Sequence, residues 1–416
     1  MPLLNGSGNK LLTTDKVAKN ALTYWKNNLV LTKGVYRDLE GQFGEIGDTV
    51  NVRLPNNVIV NQGNVATTTT PLNDKTIALT VDTQLNVKFN WGMKDKKLSI
   101  EDFGSRYLDP ATTQIANQVD IAVAKEMRKS YFQFGTVGQP LSFKDVTMGG
   151  AYARDVAIPT DGLCRLVTNT IDNANISNNI ADVQQQQMVK DAIQKGYAGE
   201  LAGFDTFYSQ NIITHTNGKF TGSEQVEAEL KDGNTLSVKG GTAGGFVEGD
   251  RFTIDGVGEI NPITKQVTGR LQVFVVVGAT PLAGATGTVK ISPAINDGTN
   301  TTLDGNGATI TTAMDKNVSA KAVVDAGITM IGLSEATYRE NYIMHKHAVA
   351  MAIVKMELPS SGHGSRAFDK QTGLSLNVAE YFQGDEYTNS LRLDVLFGTK
   401  MVRPDLIFRA TNEKIG

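Results

Sequence analysis

The side chains that could do chemistry are few: four histidines, one cysteine and 43 acidic residues in 416. His345 and His347 stand two apart, which puts both imidazoles on one face only if the segment is a strand, where they could share a metal ion. Packing or simple exposure is the other reading of that pair. With His215 and His363 they make a small stock for a metal or general-base site. Cys164 sits in the apolar run 163–167, where a thiol is more often a small buried hydrophobe than a nucleophile. As the sole cysteine it forms no disulfide within the chain and no CxxC zinc pair. Glu224, Glu227 and Glu229 form an acidic cluster that suits either a cation or a solvated face. The sequence has no Gly-Lys-Thr or Gly-Lys-Ser, no GxGxxG after a strand, no HExxH and no GxSxG. The expectation is no catalytic residue, no metal ligand and no cofactor, in a protein that is not an enzyme.

Composition agrees with a non-catalytic reading. Lys and Arg total 40 against 43 Asp and Glu, a net charge of −3, which excludes a strongly basic nucleic-acid-binding module. The length allows roughly three units at about 150 residues each, enough to bury a proper core. Glycine, at 42 residues, is enriched without reaching a low-complexity level and favours many turns between strands. The start of the chain has no basic stretch followed by an apolar one. The longest apolar run, 348–354, is far too short to span a bilayer, so synthesis in a cytoplasm with no membrane stage is expected.

The elements that would have to position any site look like devices for assembly. Residues 14–30 carry Val17, Ala18, Ala21, Leu22, Trp25 and Leu29 at helical spacing; this helix packs on its own core or on a neighbouring subunit, and both remain open. From Val50 to Leu54, and again from Ile77 to Trp91, apolar and polar residues alternate as in strands. With the polar tip 61–75 these two runs predict an extended β-hairpin, which in isolation would be marginal in water and would lie against another chain. Ser99 and Asp102 have capping-box spacing, and Asp109-Pro110 reads as an N-cap followed by proline. A rod-like helix is expected over 110–133, with Ile115, Val119, Ala122, Val123, Met127 and Tyr131 on one face. Residues 165–207 read as α/β, with a strand at 163–167, a polar loop, a helix near 182–195 and a strand at 204–209. Twelve glycines between 233 and 287 then separate short β-runs at 251–254, 271–277 and 288–291, the pattern of a small all-β domain. Helical stretches are expected at 320–333 and 342–355, and strands at 391–397 and 405–409.

Six strings give this order of parts a family likeness. They are Gly47-Asp48-Thr49-Val50-Asn51-Val52-Arg53-Leu54-Pro55; Ser99 to Tyr131; and Gly199-Glu200-Leu201-Ala202-Gly203-Phe204-Asp205. The others are Glu248-Gly249-Asp250-Arg251-Phe252-Thr253-Ile254 with Gly256-Val257; Met344 to Ala352; and Leu391 to Gly398 with Val402-Arg403-Pro404. In that order they resemble the major capsid proteins of tailed bacteriophages, which have the Hong Kong 97-type fold. More narrowly they are similar to the coat proteins of short-tailed enterobacterial phages that carry an inserted β-barrel.

The resemblance implies an α+β fold with a long spine helix, an extended β-hairpin loop, peripheral and axial domains, and an inserted small all-β barrel. It divides the chain into an N-terminal arm (1–45), the extended loop (46–98), spine helix and peripheral domain (99–160), a first axial part (161–221), the inserted barrel (222–300), a second axial part (301–375) and peripheral return strands (376–416). It implies a major capsid protein that self-assembles, as pentamers and hexamers, into an icosahedral shell enclosing double-stranded DNA without sequence-specific binding. Scaffolding and portal proteins are implied partners, with assembly in the bacterial host cytoplasm and final residence in the virion capsid. Trp25, Leu79, Val81 and Val87 are the candidate intersubunit contacts, as apolar positions that the lattice would cover. Two alternatives stand beside this reading: an encapsulin-like bacterial nanocompartment shell around an enzyme cargo, and a hydrolase with a β-rich substrate-binding domain.

Overall fold

The structure is a computed structural model. It describes residues 14–37, 49–55, 75–92, 104–159, 161–181, 200–278, 282–299, 301–303, 309–311, 315–357, 363–369, 374–383 and 388–415. The chain divides into two compact units, each assembled from distant stretches of sequence. The first comprises Met1–Asn51, Ala78–Val123 and Ala350–Lys400; the second comprises Val52–Ile77, Ala124–Val349 and Met401–Gly416.

In the first unit the N-terminal helix Thr14–Asn28 buries Val17, Ala18, Ala21 and Trp25, the stripe its spacing predicts. It packs on the strands His363–Phe368 and Ser375–Gln383 of its own chain. Those strands belong to a five-stranded sheet in the order Val349–Val354, Thr388–Met401, Ser375–Gln383, His363–Phe368, with Thr83–Gly92 also paired to Thr388–Met401. The single alternating run expected over 77–91 is in fact two strands. Thr76–Thr80 pairs with Thr49–Arg53 in a two-stranded sheet, whereas Thr83–Gly92 runs antiparallel to the long return strand, Val87 opposite Leu393. The break falls at Val81-Asp82, where the chain crosses the return strand so closely that a Cβ on Gly398 would lie 2.2 Å from the Thr80 carbonyl oxygen. Only glycine fits that crossing. The expected tip at 61–75 lies outside the described residues except for Lys75, as does the Ser99/Asp102 capping box.

The long helix spans Asp109–Met127, about 28 Å at ~1.5 Å per residue, and is entered through a π-helical turn, Gly104–Leu108. Asp109 is therefore inside the first turn, where its charge favours the helix dipole, and is not the N-cap. The helix also stops six residues short of its expected end. Lys129 N and Ser130 N bond three residues back, to Glu126 O and Met127 O, and tighten the chain into a turn. Tyr131, Phe132 and Phe134 are then buried, Phe132 stacking on Phe408 with ring centroids 4.6 Å apart, and Phe132–Gln133 becomes a short strand.

The second unit holds two sheets. One has seven strands in the order Phe132–Gln133, Ile407–Ile415, Thr337–His345, Cys164–Thr168, Phe204–Tyr208, Glu200–Leu201, with His215–Thr216 also paired to Thr337–His345. The other has six: Ile328–Met330, Arg251–Ile260, Val267–Val276, Gly287–Asn296, Asp232–Lys239 and Gln225–Val226. Its two ends meet. Ile328 N donates to Glu224 O at 2.9 Å, Val226 N donates to Ala326 O at 3.0 Å, and Gln225 bridges Gly327, so the sheet nearly closes around an apolar interior that includes Phe246, Phe252, Phe274 and Val276.

Three sequence expectations are corrected in this unit. Residues 320–333 are not helical: their backbone groups are used in β-bridges and in the strand Ile328–Met330, so the six-stranded sheet runs past residue 300. Residues 342–355 are strands joined by a single 3-10 turn, Lys346–Ala348; a run buried on every side has no helical or strand period to read. The polar loop expected after residue 168 is a helix, Thr170–Ala181, whose start is held by Asn169 Oδ1 accepting from Ile171 N. The helix expected near 182–195 lies outside the described residues. A further helix, Phe143–Asp155, opens on a capping box made by Ser142 and Asp145, whose three-residue spacing is visible in the sequence.

Candidate functional site: the mounting of the six-stranded sheet

The strand Arg251–Ile260 is held to the rest of its unit at both ends. At its first residue the Arg251 side chain is 2% exposed and donates to Phe132 O (3.1 Å), Arg409 O (2.9 Å) and Thr411 Oγ1, so one guanidinium from the six-stranded sheet ties two strands of the seven-stranded one. Beside it Arg409, 1% exposed, donates to Glu340 Oε1 at 2.6 Å, to Arg128 O at 2.8 Å and to Gly249 O at 2.7 Å. Glu340 is fully buried and accepts from Tyr342 Oη through its other oxygen. Burial, and then the like charge of Arg409, work against Arg251's charge, while burial and then the Glu340 charge push the Tyr342 phenol well up. Two guanidiniums are buried here beside a single carboxylate, which Arg409 alone of the two contacts; backbone carbonyls take up the remaining donors of both.

Next to Arg251, Asp250 is sealed from solvent and accepts from His215 Nε2 (2.8 Å), Gly218 N and Val247 N (2.8 Å). Burial lowers the His215 pKa despite the bond to Asp250, so the ring is neutral and donates its Nε2 proton. The two crossings into and out of the six-stranded sheet are also bonded to each other. Asn217 donates from its amide to Ile331 O and Leu333 O, and Thr216 and Thr337 exchange a 2.8 Å hydroxyl bond.

The far end of the same strand has a second attachment. Glu259, 2% exposed, accepts from Tyr152 Oη at 2.5 Å, Thr268 Oγ1 at 2.6 Å and Arg270 Nε at 3.0 Å. Arg270 lies 3.9 Å over the Tyr152 ring and reaches Asp155 at 2.5 Å, while Asn261 donates to Asp155 O. Tyr152 and Asp155 both come from the helix Phe143–Asp155.

The residues singled out from sequence are scattered. Trp25, Leu79 and Val81 are wholly buried by their own chain, so apolar surface left bare in the isolated subunit, the reason for expecting them at a boundary, does not apply to them; Val87 is half-buried. The buried carboxylate Asp120, which sequence reasoning missed, fastens the segment after the first helix: it accepts from Val30 N, Leu31 N, Thr32 N and Thr32 Oγ1. His345 and His347 do stack, at 5.2 Å, but His345 is engaged with Asp161 at 3.0 Å, and that bond holds the Asp161 carboxyl below its usual range. Cys164 is buried, its thiol pushed up to about 11 by burial and then by Asp161, which makes it inert. Glu224 caps its own turn, accepting from Thr221 N and Gly222 N, and Glu229 pairs with Lys321. Among the described residues no group of three His, Cys, Asp or Glu side chains is placed to hold a metal, and no helix is long and apolar enough to cross a membrane.

The geometry is that of a mounting rather than a reaction centre. The family model described as "P22 coat protein - gene protein 5" matches residues 8–408. The chain belongs to that family. It is a major capsid protein of a tailed phage, which self-assembles into the capsid shell of the virion, and it is a structural protein rather than an enzyme. The family favours the phage shell over the nanocompartment alternative. No curated protein matches the sequence. Among solved structures it is similar to a chain of Mycobacterium phage Che8 (12% identity, covering 92% of this chain and 90% of that one, TM-score 0.46). It is similar also to the capsid of Ralstonia phage GP4 (8% identity, 91% and 87%, TM-score 0.45). The CUS-3 coat protein I-domain matches at 30% identity over 26% of this chain and 96% of that one, with a TM-score of 0.19.

Proposed function

We propose that this coat protein has the Hong Kong 97-type fold with an inserted β-barrel, and that pentamers and hexamers of it close an icosahedral shell around double-stranded DNA in the host cytoplasm, with a scaffolding protein and a portal directing assembly. The observation that carries the reading is the family match over residues 8–408. The long helix Asp109–Met127, the hairpin Thr49–Arg53 with Thr76–Thr80, and the nearly closed sheet between residues 224 and 331 support it. The division into arm, extended loop, spine, axial, inserted and return segments is kept, with the inserted part extended to about residue 331 because Ile328–Met330 supplies its sixth strand. A net charge of −3 suits a wall that encloses DNA without gripping it. Of the candidate contacts, Val87 lies on a strand whose alternate residues Asn86, Lys88 and Asn90 are exposed, and a neighbouring copy is proposed to lie against that strand. Trp25, Leu79 and Val81 support the contact from within by holding the arm in shape. Electron microscopy of the protein expressed alone and with its neighbouring genes tests this. Closed shells whose uniformity depends on those genes are expected; compact single particles in both preparations would refute it.

A further inference from the structure

The inserted sheet is mounted at two points on a single strand. Arg251 and Glu259 lie eight residues apart, about 26 Å along an extended chain at ~3.3 Å per residue, and the strand between them carries register shifts at 253–258 and 258–260. The two mounts differ in kind. Arg251 is sealed and bonded to carbonyls and a hydroxyl that water does not reach. At the other end, Glu259 is buried but its partners are accessible: Arg270 is 42% and Asp155 54% exposed. With the Arg251 mount alone the strand would pivot, and a rotation of a few degrees would carry its far end by an ångström or more. In a closed shell the inserted sheet must hold the same orientation from copy to copy.

We propose that Tyr152, Asp155, Glu259 and Arg270 form a solvent-accessible clasp that sets the angle of the inserted sheet on the helix Phe143–Asp155, with Arg270 as the positioning residue. Arg270 alone meets all three of the others: its planar face lies on Tyr152, Nε is on Glu259 and a terminal nitrogen is on Asp155. The accessible clasp is the adjustable mount and the sealed one is the pivot. This rests on the reading of residues 224–331 as a module inserted in a shell subunit.

The test is amide hydrogen exchange on the full-length subunit of the parent and of Arg270→Gln, with electron microscopy of the particles each forms. In the variant, exchange at residues 258–271 should rise at least tenfold while residues 251–254 keep the parent's protection, and shells should lose their uniform diameter. Arg270→Lys should restore little, because an ammonium reaches one carboxylate and does not stack as a guanidinium does. A core truncation, Val276→Ala, controls for stability alone and should leave the diameter uniform. Unchanged exchange at 258–271, loosening shared equally by both ends of the strand, or uniform shells of parental diameter would overturn the proposal. If Arg270→Gln does not fold, Tyr152→Phe, which removes one hydroxyl and keeps the ring, is read against the same outcomes. A parent that forms no shell would defeat the proposed function, and the exchange result would still decide the clasp.

Discussion

In the six-stranded sheet the interior is apolar throughout: Val226, Leu236, Val238, Phe252, Ile254, Phe274, Val276, Val289 and Ile291 meet one another, and consecutive strands from Arg251 to Asn296 pair as neighbours. In the seven-stranded sheet the strands Thr337–His345 and Ile407–Ile415 bury Glu340, Asn341, Arg409, Thr411 and Asn412, and strands paired side by side, such as Thr337–His345 with Cys164–Thr168, are far apart in sequence. The first arrangement is driven by area removed from water and tolerates any apolar set that fills it. The second relies on polar groups that are satisfied in one register only. Asn341, for example, donates to both Asp172 and Asn412, and its Oδ1 accepts from Asn169 N. Where distant segments must meet correctly, polar specificity replaces local pairing.

Among polar contacts, removing one member of the buried ion pair should have the largest effect. Arg409→Ala strands the Glu340 carboxylate in the interior, and a loss of about 3–5 kcal/mol is expected in urea unfolding. Replacing the pair together, as Arg409→Met with Glu340→Leu, should recover most of that stability; a double variant as weak as the single one would mean the polar register itself is indispensable. Phe252→Ala in the apolar sheet is expected to cost about 3–5 kcal/mol as well, but with no second-site rescue by a charge change. Leu79 and Val81, buried in the first unit, should behave like that core: Val81→Asp is expected to prevent folding, whereas Val87→Asp should leave folded, soluble subunit that forms no shells, as gel filtration and microscopy would show.

Asp120→Ala is a smaller lesion, roughly 1–3 kcal/mol, because it leaves the Val30, Leu31 and Thr32 donors without their acceptor. The pH response should be smaller again. His215 is buried and neutral, faced by Asp250, Arg409 and Glu340, and its pKa is lowered by burial. Its contribution is therefore complete above the unfolded-state value of about 6.5 and is lost as pH falls below it. The thermal midpoint of the parent should drop between pH 7 and 5 more than that of His215→Gln; equal drops would assign the acid sensitivity elsewhere. Arg270→Gln should change global stability least, by about 1 kcal/mol or less, since the Arg270 side chain is 42% and its partner Asp155 54% exposed, and the buried Glu259 keeps its bonds from Tyr152 and Thr268.

The contrast between the sheets also explains what could be read before the structure. The strands at 251–254, 271–277 and 288–291 lay in plain view because glycines punctuate them and one face of each is apolar. The stripe Val17, Ala18, Ala21, Trp25 was equally legible as a helix, and its partner proved to be its own chain. Over 342–355 the residue pattern suggests a helix because strands buried on both faces lose the alternation that identifies them, whereas the likeness of Met344 to Ala352 to a coat-protein strand points to the strands found. The mounting itself could not be seen. Arg251, Glu259, Arg270, Glu340 and Arg409 look like surface charges in sequence, and only folding brings Arg251 to Arg409, 158 positions away. The capping box at Ser142 was readable and would have placed Tyr152 on a helix.

The central claim is that this chain is the repeating subunit of a closed shell, and a cryo-electron-microscopy reconstruction of the assembled particle tests it most directly. The expected result is a closed wall whose five- and six-membered rings are made of this chain, each copy carrying the nearly closed six-stranded sheet at one constant angle. Discrete particles of a few copies, or a wall in which this chain is a minor decoration on another protein's lattice, would contradict it.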